Sequence, residues 1–482
     1  MITYQDYVEN VLEGTEKLED FISRVIKKHI SSDMYSIAED ADEYNAERNS
    51  TIMKYVQYMY STTGRKSVDI FASNNKLCSN FFRNLNTQRC NYLLGNGINF
   101  SDNKVNVIDT ETGAETTIDR TKERLGKSFD TKLKKLAYLS LIHGVGFGYW
   151  NYDHLEYFSV REFAPLWDEE TSDLRAGIRF WQIAADKPII ATFFEEDGYS
   201  VFRKGKKDTT FVLIQDKKAY ITTTYKTKEG EVVGYDYSNY NNFPIIPLWG
   251  SDLHQSTLVG MKSKIDAYDL ISSGFANDLQ DCAEIYWIVS GGAGMDNQEL
   301  AKFRQRLKLN KIANVEERDS SATPYTQEIP YASREAFLAR IEEQIYRDFS
   351  AFRPEQVAAG NVTATQIESA YQPMDDVVDD FEYQVIEFIQ ALLKLMNIED
   401  TPIFKRNKIS NQKEQTEMIL ECADYLDEET ILSKLPFITV DEISAILAKK
   451  DLEASNRLED EEPPTEPTED DLNGEKDMND EE

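Results

Sequence analysis

Few side chains in this 482-residue sequence could hold a metal or move a proton. Its four histidines, His29, His143, His154 and His254, include no pair at the spacing that sets two ligands on one helix face. The four cysteines, Cys78, Cys90, Cys282 and Cys422, are far apart and contain no CxxC pair, so free, buried thiols in a reducing compartment are expected. Two acidic groups, Asp278 with Asp281 and Glu284, and Asp375-Asp376 with Asp379-Asp380, fall at helical spacing. They could hold a divalent ion, but the same spacing describes a solvated helix face, which is the favoured expectation.

Two glycine motifs touch on nucleotide chemistry. Leu125-Gly-Lys-Ser128 ends like a phosphate loop, yet Thr121 stands where the first glycine is needed, so the cradle of backbone amides is missing. Gly144-Val-Gly-Phe-Gly148 has the look of a dinucleotide loop but leads into strand-like sequence rather than a helix. No catalytic set, metal or cofactor is therefore expected.

Charge narrows the class further. The chain has 53 Lys plus Arg against 86 Asp plus Glu, a formal charge of −33. Residues 451–482 hold 15 acidic and 2 basic side chains, a net of −13, with three prolines, and read as a disordered acidic tail. The other 450 residues keep −20, which argues against a surface that grips phosphates broadly. The length fits two or more domains. Residues 1–10 lack a secretory pattern, and the most apolar stretch, 136–150, is shorter than the roughly 20 residues that span a bilayer. A soluble, intracellular protein without a membrane partner is expected.

The elements that would position these groups follow from periodicity. Residues 1–143 read as mostly helical; Leu77, Phe81 and Leu85 predict a helix over 75–94 stopped by Gly95 and Gly97, and 130–143 predicts another ending at Gly144. From 146 to about 248, short runs of aromatic and β-branched residues between charged turns predict an antiparallel meander, closed by Phe243-Pro-Ile-Ile-Pro247. Leu258, Met261, Ile265, Tyr268, Phe275, Leu279, Cys282 and Tyr286 then recur in steps of three and four, with Ser272 interrupting. That is the seam of a long helix packed against another; a helix in an ordinary core is the alternative. A mixed stretch, 285–331, has a strand-like start, a glycine turn, a basic run and a polar hairpin. A second long helix is expected from Ser333, burying Leu338, Ile341, Ile345 and Phe352. After a break at 353–362, Thr363 and Gln366 fit a capping box for a third helix to about 397, with a kink expected near Pro373. Shorter helices are expected at 412–426 and 440–457. The fold class is α+β, mainly α.

The order of several short stretches resembles the portal proteins of tailed bacteriophages, of the siphophage type. They are Asn75-Lys-Leu with Asn80-Phe-Phe, Tyr92-Leu-Leu-Gly-Asn-Gly-Ile-Asn-Phe100, 137–152, Pro244-Ile-Ile-Pro247, Lys264-Ile-Asp-Ala-Tyr-Asp269, 273–279, Thr363-Ala-Thr-Gln-Ile367, 426–432, Leu435-Pro and Val440-Asp-Glu442. The resemblance implies a ring, commonly of twelve subunits, at one vertex of the viral head, through which double-stranded DNA is packaged and ejected. It implies a wing (1–250 and the helix of 363–400), stem helices (251–283 and 333–352), a small α/β clip (284–332), a tunnel loop (353–362), a helical crown (401–457) and the tail. DNA-facing residues would be Arg353, Gln356 and Asn361; stem packing would fall to Leu258, Met261, Ile265, Tyr268, Phe275, Leu279, Leu338, Ile341 and Ile345. Partners would be the terminase large subunit, a head-completion or adaptor protein, and the major capsid and scaffolding proteins, in the virion after assembly in the host cytoplasm.

Twelve copies would carry on the order of −400, and a negative channel repels the DNA backbone, which permits sliding without counterion-releasing contacts. Two other classes stay open at this point. A non-enzymatic acidic scaffold or adaptor would form no ring, and a packaging ATPase or nuclease would need the phosphate loop that Thr121 denies.

Overall fold

The structure, a computed structural model, describes residues 2–450 except 61–63, 70–71, 109–114, 227–231, 283–285, 291–320, 326–330, 357–362, 409–411, 424, 436–437, 439–442, 444–445 and 448. Residues 284–332, expected to form a clip, thus lie largely outside the described residues, and 451–482, expected to be a disordered tail, lie wholly outside them.

The N-terminal part is built on four longer helices, α1 (Leu18–Ile30), α2 (Asp33–Asn45), α3 (Phe81–Leu94) and α4 (Phe129–His143), with shorter helical turns between them. Ser32 caps α2 by accepting from Tyr35 N at 3.3 Å. α4 stops where Gly144 takes φ 90°, a value costly for any residue with a Cβ. Three short strand pairs, unexpected from the sequence, lie among the helices; one joins Ile98–Phe100 to Pro402–Phe404.

α3 begins six residues later than the spacing of Leu77 with Phe81 suggests. The backbone N–H groups of Asn75, Leu77 and Ser79 instead donate to Asn277 Oδ1 (2.6 Å), Ser273 Oγ (3.0 Å) and Asp269 Oδ1 (2.9 Å) on α5 (Lys262–Cys282). Two residues of extended chain advance about 6.6 Å and four residues of helix about 6 Å, so the two repeats stay in step over three contacts. Helix over 75–80 would withdraw those donors.

The meander is antiparallel throughout, as expected. Its strands are β1 (Val145–Asn151), β2 (His154–Ser159), β3 (Phe163–Trp167), β4 (Leu174–Trp181), β5 (Ile189–Glu195), β6 (Gly198–Lys204), β7 (Val212–Lys218), β8 (Ile221–Lys226), β9 (Val232–Ser238) and β10 (Ile245–Trp249). They divide into a five-stranded sheet, β7-β6-β5-β4-β3, a three-stranded sheet, β10-β1-β2, and a lone β8-β9 ribbon. Phe147, Phe158, Phe163 and Phe194 fill the space between the two larger sheets. Phe21 and Ile22 of α1 cover the five-stranded sheet against Phe193 and Phe202. The glycines of Gly144-Val-Gly-Phe-Gly148 serve packing rather than a nucleotide: a Cβ on Gly148 would lie 2.5 Å from the Phe388 ring.

Three long helices complete the framework: α5, α6 (Tyr331–Asp348) and α7 (Ala364–Leu395). α6 starts two residues before Ser333, and α7 runs through Pro373 with Thr363 and Gln366 forming the expected capping box. The segment expected to form a crown holds helices Gln412–Glu421, shorter than expected, and Glu428–Lys434, which the sequence did not suggest and which Asp427 caps; the helix expected at 440–457 lies largely outside the described residues.

Candidate functional site

The first half of the predicted helix seam is buried within the subunit. Leu258, Met261 and Ile265 are buried with Ile341, Ile345 and Phe349 in one apolar cluster, which holds α5 against α6. Tyr268, Phe275 and Leu338 are half-buried, and Leu279 is 54% exposed. From Asp269 onward the buried face of α5 is polar, Asp269, Ser273 and Asn277, because it receives the 75–79 segment. Burial raises the Asp269 pKa, while hydrogen bonds from Asn49 and Ser79 oppose the rise. Leu279 is thus left outward with the Phe275 ring only partly covered. The side chain of Cys282 and that of Tyr286 lie outside the described residues.

Next along the chain is the 353–362 segment, whose two ends are tightly held. On the near side, Phe349 and Phe352 are buried. Arg89 Nη2 donates to Phe349 O at 2.8 Å and its guanidinium stands 4.1 Å over the Phe349 ring. This cation sits just past the last turn of α6, where orphan carbonyls favour positive charge. Burial pushes the Arg89 pKa down to about 10, with Asp380 opposing, so the group stays charged at neutral pH. Gln88 Nε2 donates to Phe352 O at 2.9 Å.

On the far side, Tyr371 of α7 stacks on Phe352, centroids 4.1 Å apart, and on Tyr92, 5.5 Å apart. Tyr92 donates to Asp375 at 2.6 Å, and Asp375 also accepts from Arg406 at 2.8 Å and Lys408 at 2.7 Å. Arg406 further pairs with Asp379 and with Glu382, the latter at 2.8 Å. Burial works to raise the Asp375 pKa, but the hydrogen bonds from Lys408, Tyr92 and Arg406 outweigh it and leave the carboxyl below its ordinary range. Asp375 and Asp379, with Glu382, therefore fasten the 405–408 segment to α7, whereas Asp376 is exposed as a solvated face would have it and Asp380 accepts from Asp252 N at 3.3 Å.

Of the predicted DNA-facing residues, Arg353 is half-buried with its guanidinium 5.0 Å over the Tyr346 ring. Gln356 closes a 3-10 turn, Pro354–Gln356, and its side chain, like the whole of Asn361, lies outside the described residues. The Phe352–Tyr371–Tyr92 stack and the Arg89 and Arg406 anchors carried no local signal: Tyr92 and Arg89 meet partners more than 250 positions away, and Phe352 and Arg406 meet theirs some 20 to 30 positions away in a separate element.

The remaining candidates are structural. His29 donates from Nε2 to Val160 O at 2.6 Å, and His143 pairs with Asp42 at 2.8 Å. His154 lies beside Asp153 and Glu156, and His254 stacks on Trp249. Cys90 is buried as expected and burial pushes its thiol up to about 12; Cys78 is half-buried and Cys422 is exposed, against expectation. Thr121 is buried and donates to Asp400 at 2.6 Å, and Gly126, at φ 85°, ends a short helix, so no phosphate cradle forms there. Among the described residues no cluster of His, Cys, Asp and Glu could hold a metal, and no helix is long and apolar enough to cross a membrane.

Residues 24–456 match the family model described as phage portal protein, SPP1 Gp6-like, and the chain belongs to that family. It is 26% identical over 232 residues to the portal protein of Clostridium phage phiCD119, covering 46% of this chain and about half (51%) of that protein's length. It is 22% identical over 468 residues to the portal protein of Bacillus phage SPP1, covering 88% of this chain and 87% of that protein. Among solved structures it is similar to a chain in the neck of an empty GTA particle computed with C6 symmetry, at 8% identity and a TM-score of 0.39 over 73% of this chain and 88% of that one. It is also similar to a chain in the neck of a native GTA particle computed with C12 symmetry, at 10% identity and a TM-score of 0.33 over 64% and 79%.

Proposed function

We propose that this chain is the non-enzymatic subunit of a portal ring, twelve copies being the expected number, whose central channel conducts double-stranded DNA into and out of a phage head. The observation that carries the reading, beside family membership, is the anchorage of 353–362. A buried stack fixes Phe352 and a capping box fixes Thr363, so the chain on either side of the proposed tunnel loop is held in place. On this reading α5 and α6 are stem helices, 284–332 is the clip that meets the terminase large subunit and a head-completion or adaptor protein, and 1–250 is the wing that meets the major capsid and scaffolding proteins.

Charge supports conduction rather than capture. The body carries −20 outside the tail, so a channel built from it repels phosphates, and Arg353, held against Tyr346, offers a positive contact. The helix end at Gly126 and the buried, bonded Thr121 disfavour a packaging ATPase. Negative-stain microscopy of the purified protein tests the reading: rings with a central hole support it, and an acidic scaffold or an ATPase would give none.

A further inference from the structure

We propose that the groove between α3 and α4 is a docking site for this chain's own acidic tail, residues 451–482. The groove encloses about 440 Å³, and its wall is almost wholly apolar. Cys90, Tyr138, Leu139 and Tyr157 line it, with Lys134 and Lys135 beside them and no acid. Cys90 is buried, while Tyr138, Leu139 and Tyr157 are half-buried. An open apolar groove with cations beside it and no carboxylate matches an apolar side chain flanked by acids.

Charge and sequence select the occupant. α3 and α4 hold five Lys or Arg against one Asp, a net of +4, so the rest of residues 1–450 carries −24. Lys134 and Lys135 form no ion pair among the described residues. The tail carries −13 and sets leucines among acids, in Leu458-Glu-Asp-Glu-Glu462 and in Asp470-Asp-Leu472. The described chain ends at Lys450, which pairs with Glu428. The 32 residues that follow reach about 100 Å when extended, and a 450-residue body has a radius of gyration of about 22 Å, so the groove is within range wherever it lies on the subunit. Tethering holds the tail at an effective concentration of about 1 mM, so weak, salt-screened ion pairs suffice, and it favours the chain's own tail over that of a second copy.

The test places a benzophenone photo-cross-linker at Thr131, an exposed residue of the same groove, in the full chain. This chain is co-expressed with a second full chain that keeps Thr131 and whose tail is marked in mass by Met478→Leu. Irradiation followed by mass spectrometry is expected to show cross-links onto residues 451–482 of the unmarked tail. Lys134→Glu with Lys135→Glu is expected to lower their yield about tenfold at an unchanged thermal melt, and Lys134→Arg with Lys135→Arg to keep it. Cross-links onto the marked tail would give the groove to a second copy and overturn the proposal. Cross-links onto the folded body alone, or onto the tail at a yield indifferent to the charge reversal, would overturn it as well.

Discussion

Phe352 lies face to face with Tyr371, 4.1 Å between centroids and 3° between planes, and so ties the end of one long helix to the start of the next. Both side chains are buried, and both belong to the same apolar cluster as Tyr92. The segment between them therefore has fixed ends whatever its own conformation.

Removing that stack is costly. Phe352→Ala is expected to destabilise the subunit by about 3–5 kcal/mol, since it combines lost burial with a cavity under Tyr371. Hydrogen exchange should accelerate at 349–356 before it does in the β-sheets, which a urea series read by mass spectrometry would show.

Asp375 gives a pH signature. Its folded pKa lies below that of an unfolded carboxylate, about 3.9, so its contribution is fully present above that value and is lost as pH falls through the lower folded one. Asp375→Asn should lower stability at pH 7 by about 1–3 kcal/mol. It should also flatten the stability profile below about pH 4. Urea midpoints across the acid range for the two proteins would reveal this.

Phe275 tests association. It is half-buried, with the Arg334 guanidinium 6.0 Å over its ring, and lies on the part of α5 that the subunit's own apolar core does not reach. Phe275→Asp should leave helix content unchanged but yield monomers or wrong-sized assemblies by size exclusion with light scattering.

Arg353 tests the channel. Its cation rests on Tyr346 at the mouth of the anchored segment. Arg353→Ala should preserve ring assembly while reducing DNA packaging or retention, measured as DNA per head; normal packaging would count against a channel role.

Legibility in the sequence followed the range of the interactions. The Thr363 box and the stop at Gly144 are local, and both were readable. Strand alternation fixed the meander but not its division into sheets, because pairing partners are set by registers such as Leu248 opposite Gly146. The α5 seam is buried within the subunit as far as Ile265, and beyond it the buried face is a polar one that the periodicity did not report. There Asp269, Ser273 and Asn277 are buried by donors near residue 77, and no rule of periodicity reports a partner so distant. Arg406 was missed for another reason: it lies outside any helix, where periodicity says nothing, and its three carboxylate partners lie on α7.

The measurement that bears most directly on the central claim is electron microscopy of the purified, full-length protein, alone and after co-expression with the other head proteins. Turbine-like rings with a central hole wide enough for a duplex are the expected result. Monomers or holeless particles in both preparations would contradict it.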